Sequence, residues 1–196
     1  MGPRFPHVRG VKPLLLAIAL AAFGFGAGCK DSRNGSAAAP PTAPGLATSL
    51  THPPYLTNAQ PRLQTMKLFV GMKEITAELA LKPIEIYTGM MWRTNMADGE
   101  GMLFVFSDAS PRAFYMKNTY VPLSLAYIDT EGVIQEIHDL HPRNEESVPS
   151  QANNIQFVLE VPQGWFVRNG ISAGALVRSQ QGELKKVFSF VPLRRR

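Results

Sequence analysis

The chain has 196 residues, 45% of them hydrophobic, which suits one medium-sized domain carrying appendages. Its formal charge of +5 is concentrated at the ends: Arg4, Arg9 and Lys12 stand in residues 1–28 without any acid, and Arg194, Arg195 and Arg196 form a second basic cluster. Residues 63–191 hold eleven basic and fourteen acidic side chains, and no basic stripe with interleaved aromatics; this argues against a nucleic-acid-binding surface.

Residues 1–12 are basic and residues 14–28, LLLAIALAAFGFGAG, are uncharged and apolar. A charged start, an apolar core and small residues at its end are the layout of a secretory signal. The run is shorter than the ~20 residues a helix needs to cross a bilayer. Gly26-Ala27-Gly28-Cys29 resembles the lipobox of bacterial lipoproteins, in which the chain is cut before a cysteine whose sulfur carries a diacylglyceryl group. Gly26 departs from the leucine usual at that place. Cys29 is the sole cysteine, so no internal disulfide is possible. Lipidation of Cys29 explains its position better than an incidental thiol after an ordinary cleaved signal, and two acyl chains suffice for stable anchoring. Lys30 follows in place of the aspartate associated with inner-membrane retention, which leans the expected location toward the outer membrane.

Residues 30–61 are rich in Pro, Ala, Ser, Thr and Asn and show no apolar period. Such a composition buries too little surface to offset its ordering entropy, so residues 29–61 are expected to be a lipidated cysteine followed by a disordered, partly polyproline-II tether.

Residues 62–193 are expected to form the folded domain, with 194–196 a basic tail, either solvated or touching phospholipid. Residues 63–70, a Gly71 loop, and Ile75, Ala77, Leu79 and Leu81 at alternate positions predict a hairpin. Pro83, with Ile84, Tyr87 and Met91 at i, i+3 and i+7, predicts a short helix over 83–93 with those three on its apolar face. Residues 102–106, MLFVF, read as a buried strand, and 114–116, 123–128, 133–138, 157–161, 175–179 and 184–190 as further strands. Trp165-Phe166 between two glycines reads as a short helix plugging one end of the fold. Many short strands with at most two short helices predict a mainly β fold: a single compact antiparallel sandwich or barrel-like domain.

The motifs GMMWR (89–93), GMLFVF (101–106), FYMKNTYVPLSLAYID (114–129) and FVLEVPQGWF (157–166), with Gly132, Ile134, Gly170, Ile171 and Gly174, resemble the prokaryotic family called domain of unknown function 192. The resemblance spans roughly residues 63–178. It implies a compact, mainly β domain, often exported or lipid-anchored, and implies no chemistry. Ser124 and Ala175 stand where many relatives carry aspartate, so no mechanism can be built on carboxylates at those places.

The polar cluster Met116-Lys117-Asn118-Thr119 has two readings. It can be a fold-defining bend, since Asn tolerates left-handed backbone and both Asn and Thr side chains bond nearby main chain. Alternatively, Arg93, Lys117, Asn118 and Thr119 surround a polar pocket, with Met116 in its apolar wall, suited to a small anionic or sugar-like ligand. Glu160, between Leu159 and Val161, is expected to face away from the core or to pair with Arg93 or Lys117, and is counted with them as the sixth candidate ligand-binding residue. His138-Asp139-Leu140-His141 is the best metal candidate, but two imidazoles fall short of a zinc site. There is no nucleophile elbow, phosphate loop or dinucleotide fingerprint, and no cofactor is called for. The leading expectation is a lipid-anchored envelope binding or accessory module, attached to the membrane through Cys29. Two alternatives remain: an envelope hydrolase or lyase using Glu160 or His138 with Lys117, and a purely structural envelope role.

Overall fold

A computed structural model describes residues 54–189; Cys29, the signal-like segment, residues 30–53 of the expected tether and the terminal arginines lie outside the described residues. The described chain runs β1 (Thr65–Val70), β2 (Lys73–Ala80), α1 (Pro83–Thr88), β3 (Glu100–Ser110), β4 (Ala113–Phe114), β5 (Leu123–Asp129), β6 (Ile134–Leu140), β7 (Val148–Pro149), β8 (Ile155–Pro162), α2 (Trp165–Arg168), β9 (Val177–Ser179), β10 (Gly182–Glu183) and α3 (Leu184–Val187).

Eight strands form one sheet in the order β10-β9-β1-β2-β3-β8-β5-β6, and β4 pairs with β7 separately. The mainly β expectation holds. The sheet is mixed, however: β2 and β3 run parallel while the other neighbours are antiparallel, and its strands do not close into a barrel. A parallel pair cannot be joined by a tight turn and needs a crossover of a dozen or more residues, here 81–99. Its two edge regions approach at one corner, where Val133 bridges Leu176 and Val177 N–H donates to Gly132 O at 2.7 Å.

Both faces of the central strands are buried, and period-2 alternation divides them into two cores. Leu103 and Val105 of β3, Ala126 and Ile128 of β5, and Phe157, Leu159 and Val161 of β8 join the β1–β2 hairpin, Trp165, Phe166 and Leu184 in the first core. Met102 and Phe104, Leu123, Leu125 and Tyr127, and Val158 face the opposite way, with Met90, Met116 and Val121. The predicted hairpin is present, although Leu81, the last of the alternating residues, lies past the end of β2 and is exposed: Val70 pairs with Lys73, and Gly71 at φ +59 takes the first central position, where a two-residue turn of type II′ requires positive φ. Trp165 and Phe166 on α2 are buried, as their plugging role requires.

Three expectations need correction. The predicted helix over 83–93 stops at Thr88, because Gly89 turns at φ +47 with its Cα side against the Phe104 ring. Consequently Ile84 and Tyr87 stay exposed while Met90 and Met91 are buried. Residues 184–190, expected as a strand, begin instead with α3, which raises the helix count to three. Leu184, Val187 and Phe188 stand at i, i+3 and i+4 and pack on the first core, a helical period that a reading for β propensity passes over. Finally, the described end of the expected tether is not free: Gln60 is buried and its Nε2 donates to Glu85 O at 3.2 Å and Gly89 O at 2.9 Å, while Leu56 N–H donates to Thr88 Oγ1 at 3.0 Å.

Candidate functional site

The register of the sheet sets one row of side chains across five strands on the second face: Glu78 (β2), Met102 (β3), Glu160 (β8), Leu125 (β5) and His138 (β6). Polar and apolar residues alternate along it. With neighbouring strands 4.7–4.9 Å apart, Glu160 stands roughly 10 Å from each polar neighbour in the row, beyond hydrogen-bond reach.

Each outer polar residue has its own partner. Arg93, carried by the crossover, grips Glu78 with Nη1–Oε1 at 2.5 Å and Nη2–Oε2 at 2.9 Å. Burial works to raise the Glu78 carboxyl, but the hydrogen bonds from Arg93 and from Leu63 N–H outweigh it and hold the group below its ordinary value. His138 Nε2 lies 3.0 Å from Glu136 Oε2. Asp139 instead accepts from the Ser124 hydroxyl of the paired strand, so the His138–His141 motif does not converge. Among the described residues no group of three or more His, Cys, Asp and Glu side chains is arranged to hold a metal ion.

Glu160 has no such partner. Only 4% exposed, it presents an Oε2 that is buried and meets no hydrogen-bond donor. Burial pushes its carboxyl up to about 8. The same desolvation, together with the negative charge of Glu136 and Glu160, raises Tyr127, whose hydroxyl donates to Val148 O at 2.5 Å. The expectation that Glu160 faces away from the core or pairs with Arg93 or Lys117 is therefore corrected. Strand alternation turns it toward the second core, and both cations are engaged elsewhere.

Glu160 is among the residues lining an open cleft of about 310 Å³. One wall is the crossover from Ile86 to Met91, ending α1; the other is the strap Pro111–Tyr115, and the floor is Phe104, Phe106 and Glu160 from the sheet. Aromatic rings dominate it. Phe104 and Phe114 meet edge to face at 5.0 Å, and Phe114 meets Tyr127 at 6.1 Å. Tyr87 and Tyr115 line it and are partly exposed. Arg112 is the cationic lining residue, but its guanidinium is spent within the protein: it lies 3.9 Å over the Phe106 ring and donates to Asp108 O, Asp108 Oδ1 and Ile155 O.

Of the six residues expected to bind a ligand, Thr119 and Glu160 line this cleft. Met116 is buried in the second core beside it. Arg93 is taken by Glu78. Lys117 reaches outward, 3.6 Å from Glu145, whose charge raises the lysine above its ordinary value. Asn118 sits at φ +52 with its carbonyl accepting from Trp92 N–H at 2.7 Å, which is the geometry of the bend reading. Thr119 serves both, since its hydroxyl also donates to Lys117 O at 3.2 Å. No hydrogen bond or ion pair among the described residues joins Glu160, His138 and Lys117, so the acid–base pairing of the hydrolase alternative is not assembled. Arg112 and the aromatic walls escaped the sequence reading. Phe104, Phe106 and Phe114 read as strand core, and only the fold shows that three rings and one acid line a single cleft.

Residues 66–179, more than half of the chain, match the DUF192 family, described as "Uncharacterized ACR". No curated protein matches the chain. A crystal structure of a protein from Sinorhizobium meliloti 1021, provisionally described as a transcription regulator, is similar with TM-score 0.57 and 31% identity over 62% of this chain and 98% of that one. A protein of unknown function from Novosphingobium aromaticivorans DSM 12444 is similar with TM-score 0.56 and 29% identity, over 59% of this chain and 86% of its own.

Proposed function

The chain belongs to the DUF192 family, and we propose that this member is a binding or accessory module of the cell envelope that holds a small ligand in the cleft between the α1 crossover and the Pro111–Tyr115 strap. One observation carries the reading: Glu160, whose buried Oε2 meets no donor among the described residues, lines an open, aromatic-walled cleft. A buried polar group left unsatisfied costs about 1–3 kcal/mol, and folds rarely retain that cost without a use. A bound group supplying a hydrogen bond would offset it. Binding without turnover is favoured because Glu160 has no second titratable group within hydrogen-bond reach to share general acid–base work.

The envelope assignment is supported by the signal-like residues 1–28 and the lipobox-like Gly26–Cys29, and the membrane contact runs through the acylated sulfur of Cys29. The acidic balance of residues 63–191 speaks against nucleic acid as the partner. Protein partners are left open by this reading.

Two experiments test it. Soaking crystals with a small-fragment library should place density in the cleft against Glu160; fragments scattered over the surface with none in the cleft would sink the ligand reading. Replacing Cys29 with serine should shift the protein from the membrane fraction to the soluble fraction and remove a diacylglyceryl mass from its N-terminal peptide. An unmodified thiol in the wild-type protein would sink the anchor.

A further inference from the structure

Resting on that reading of the cleft, we propose that its ligand is an organic ammonium ion with an aromatic or alkyl body, whose N–H groups are donated to the Glu160 carboxylate. Three observations converge on a cation. Glu160 lines the cleft with its carboxyl almost wholly withdrawn from solvent, and nothing among the described residues donates to its Oε2. The surrounding wall is built from Phe104, Phe106, Phe114 and Tyr115, whose ring faces attract positive charge. The molecule already uses one of these rings in that way, with the Arg112 guanidinium 3.9 Å from the Phe106 centroid.

The same surroundings disfavour the other classes. An anion would find no free positive charge, because the one cation lining the cleft is already committed to Asp108 and Ile155 O. A neutral alcohol could donate one hydrogen bond to Oε2 but would gain nothing from charge. A cleft of about 310 Å³ admits an arylalkylamine and excludes a large polycation from full burial.

The exchange balances without any covalent step. Empty, Glu160 holds its proton; on binding, the ammonium keeps its own protons and Glu160 releases one to solvent, leaving a carboxylate–ammonium pair. The charged and titratable groups around Glu160 do not supply that proton's destination. Beyond Met102, Glu78 and Arg93 satisfy each other; beyond Leu125, His138 is paired with Glu136. Tyr127 keeps its proton on Val148 O, Arg112 holds Asp108, and Tyr87 and Tyr115 line the cleft. Burial places the Glu160 carboxyl at about 8, so at pH 7 binding should release nearly one proton.

Titration calorimetry of the purified protein with 2-phenylethylammonium, 2-phenylethanol and 3-phenylpropanoate tests this. Each is run at pH 7 in phosphate and in Tris, whose different ionisation enthalpies count protons released. The expected result is ammonium bound roughly tenfold or more tighter than the alcohol, nearly one proton released, and the carboxylate not bound. Glu160→Gln should weaken the ammonium by about 30-fold or more, the usual loss when a buried charge pair loses a partner, and abolish proton release. Tyr115→Leu, at a partly exposed position that does not carry the fold, should weaken the ammonium several-fold while sparing the alcohol. Equal binding of alcohol and ammonium without proton release, or no loss in Glu160→Gln, would overturn the cation assignment while leaving the cleft a ligand site. Saturation by none of the three probes would overturn the assignment too, and the fragment soak then decides the cleft itself.

Discussion

Replacing Glu160 with methionine should stabilise the protein, and by an amount that depends on pH. The carboxyl has an ordinary value of 4.5 and is pushed to about 8 in the fold. Its sign is the reverse of a salt-bridged acid. The unfolded chain gives up this proton first, so stability is intact below about pH 4.5, declines as pH rises toward 8, and is level above that. At about 1.4 kcal/mol per pH unit, the wild type forgoes about 3 kcal/mol at pH 7 relative to pH 4 through this group alone. Methionine has similar volume, carries no proton to lose and needs no partner. Below pH 4.5 it should gain only about 1–3 kcal/mol, from removal of an unsatisfied polar group. At pH 7 the gain should be about 3 kcal/mol larger, roughly 10 °C in Tm for a domain of this size. Urea denaturation of both proteins at a series of pH values from 4.5 to 9 measures it, because the other titrating groups cancel in the difference. Parallel stability curves would refute the reasoning, as would a methionine variant weaker than wild type at pH 7.

The Arg93–Glu78 pair should behave oppositely. Arg93→Met leaves a buried carboxylate behind and should cost about 3–5 kcal/mol at pH 7, less toward pH 4 as Glu78 protonates, with much of the loss recovered in Arg93→Met/Glu78→Met; a denaturant double-mutant cycle reads all three. Asn118 lies at φ +52, so Asn118→Gly should be neutral within a few tenths of a kcal/mol, whereas Asn118→Val should lose about 1–2 kcal/mol in the same assay. Gly132→Ala would set a Cβ 2.7 Å from Val177 O at φ +84, and should cost more than about 2 kcal/mol and speed hydrogen exchange at the Val177 amide.

Local signals carried the sequence reading a good distance. Alternation at Ile75, Ala77 and Leu79, a glycine between two apolar runs, and a turn-tolerant asparagine in a polar cluster all report on backbone within a few residues, and each is found as expected. Glu160 reads as a site residue from its sequence, but its surroundings do not, because they depend on which strands flank β8. Arg93 finds Glu78, 15 residues earlier, only because the crossover returns the chain across the sheet. Arg112 and the rings of Phe104, Phe106 and Phe114 lie within eleven residues, yet they meet only because the chain leaving β3 brings Arg112 against Phe106 and Phe114 against Phe104. The parallel β2–β3 pair was missed for the same reason: each strand looks the same whichever way its neighbour runs.

That parallel pair has a further meaning for the family. Because β2 cannot turn directly into β3, nineteen residues must be spent on the return journey, and six of them, Ile86–Met91, become a wall of the cleft. The ladder fixes where this excursion starts and stops but not what it contains. Sequence drift within it can therefore reshape what the cleft accepts while every strand keeps its neighbours. Relatives with one scaffold and different cargoes would then differ most between the end of β2 and the start of β3.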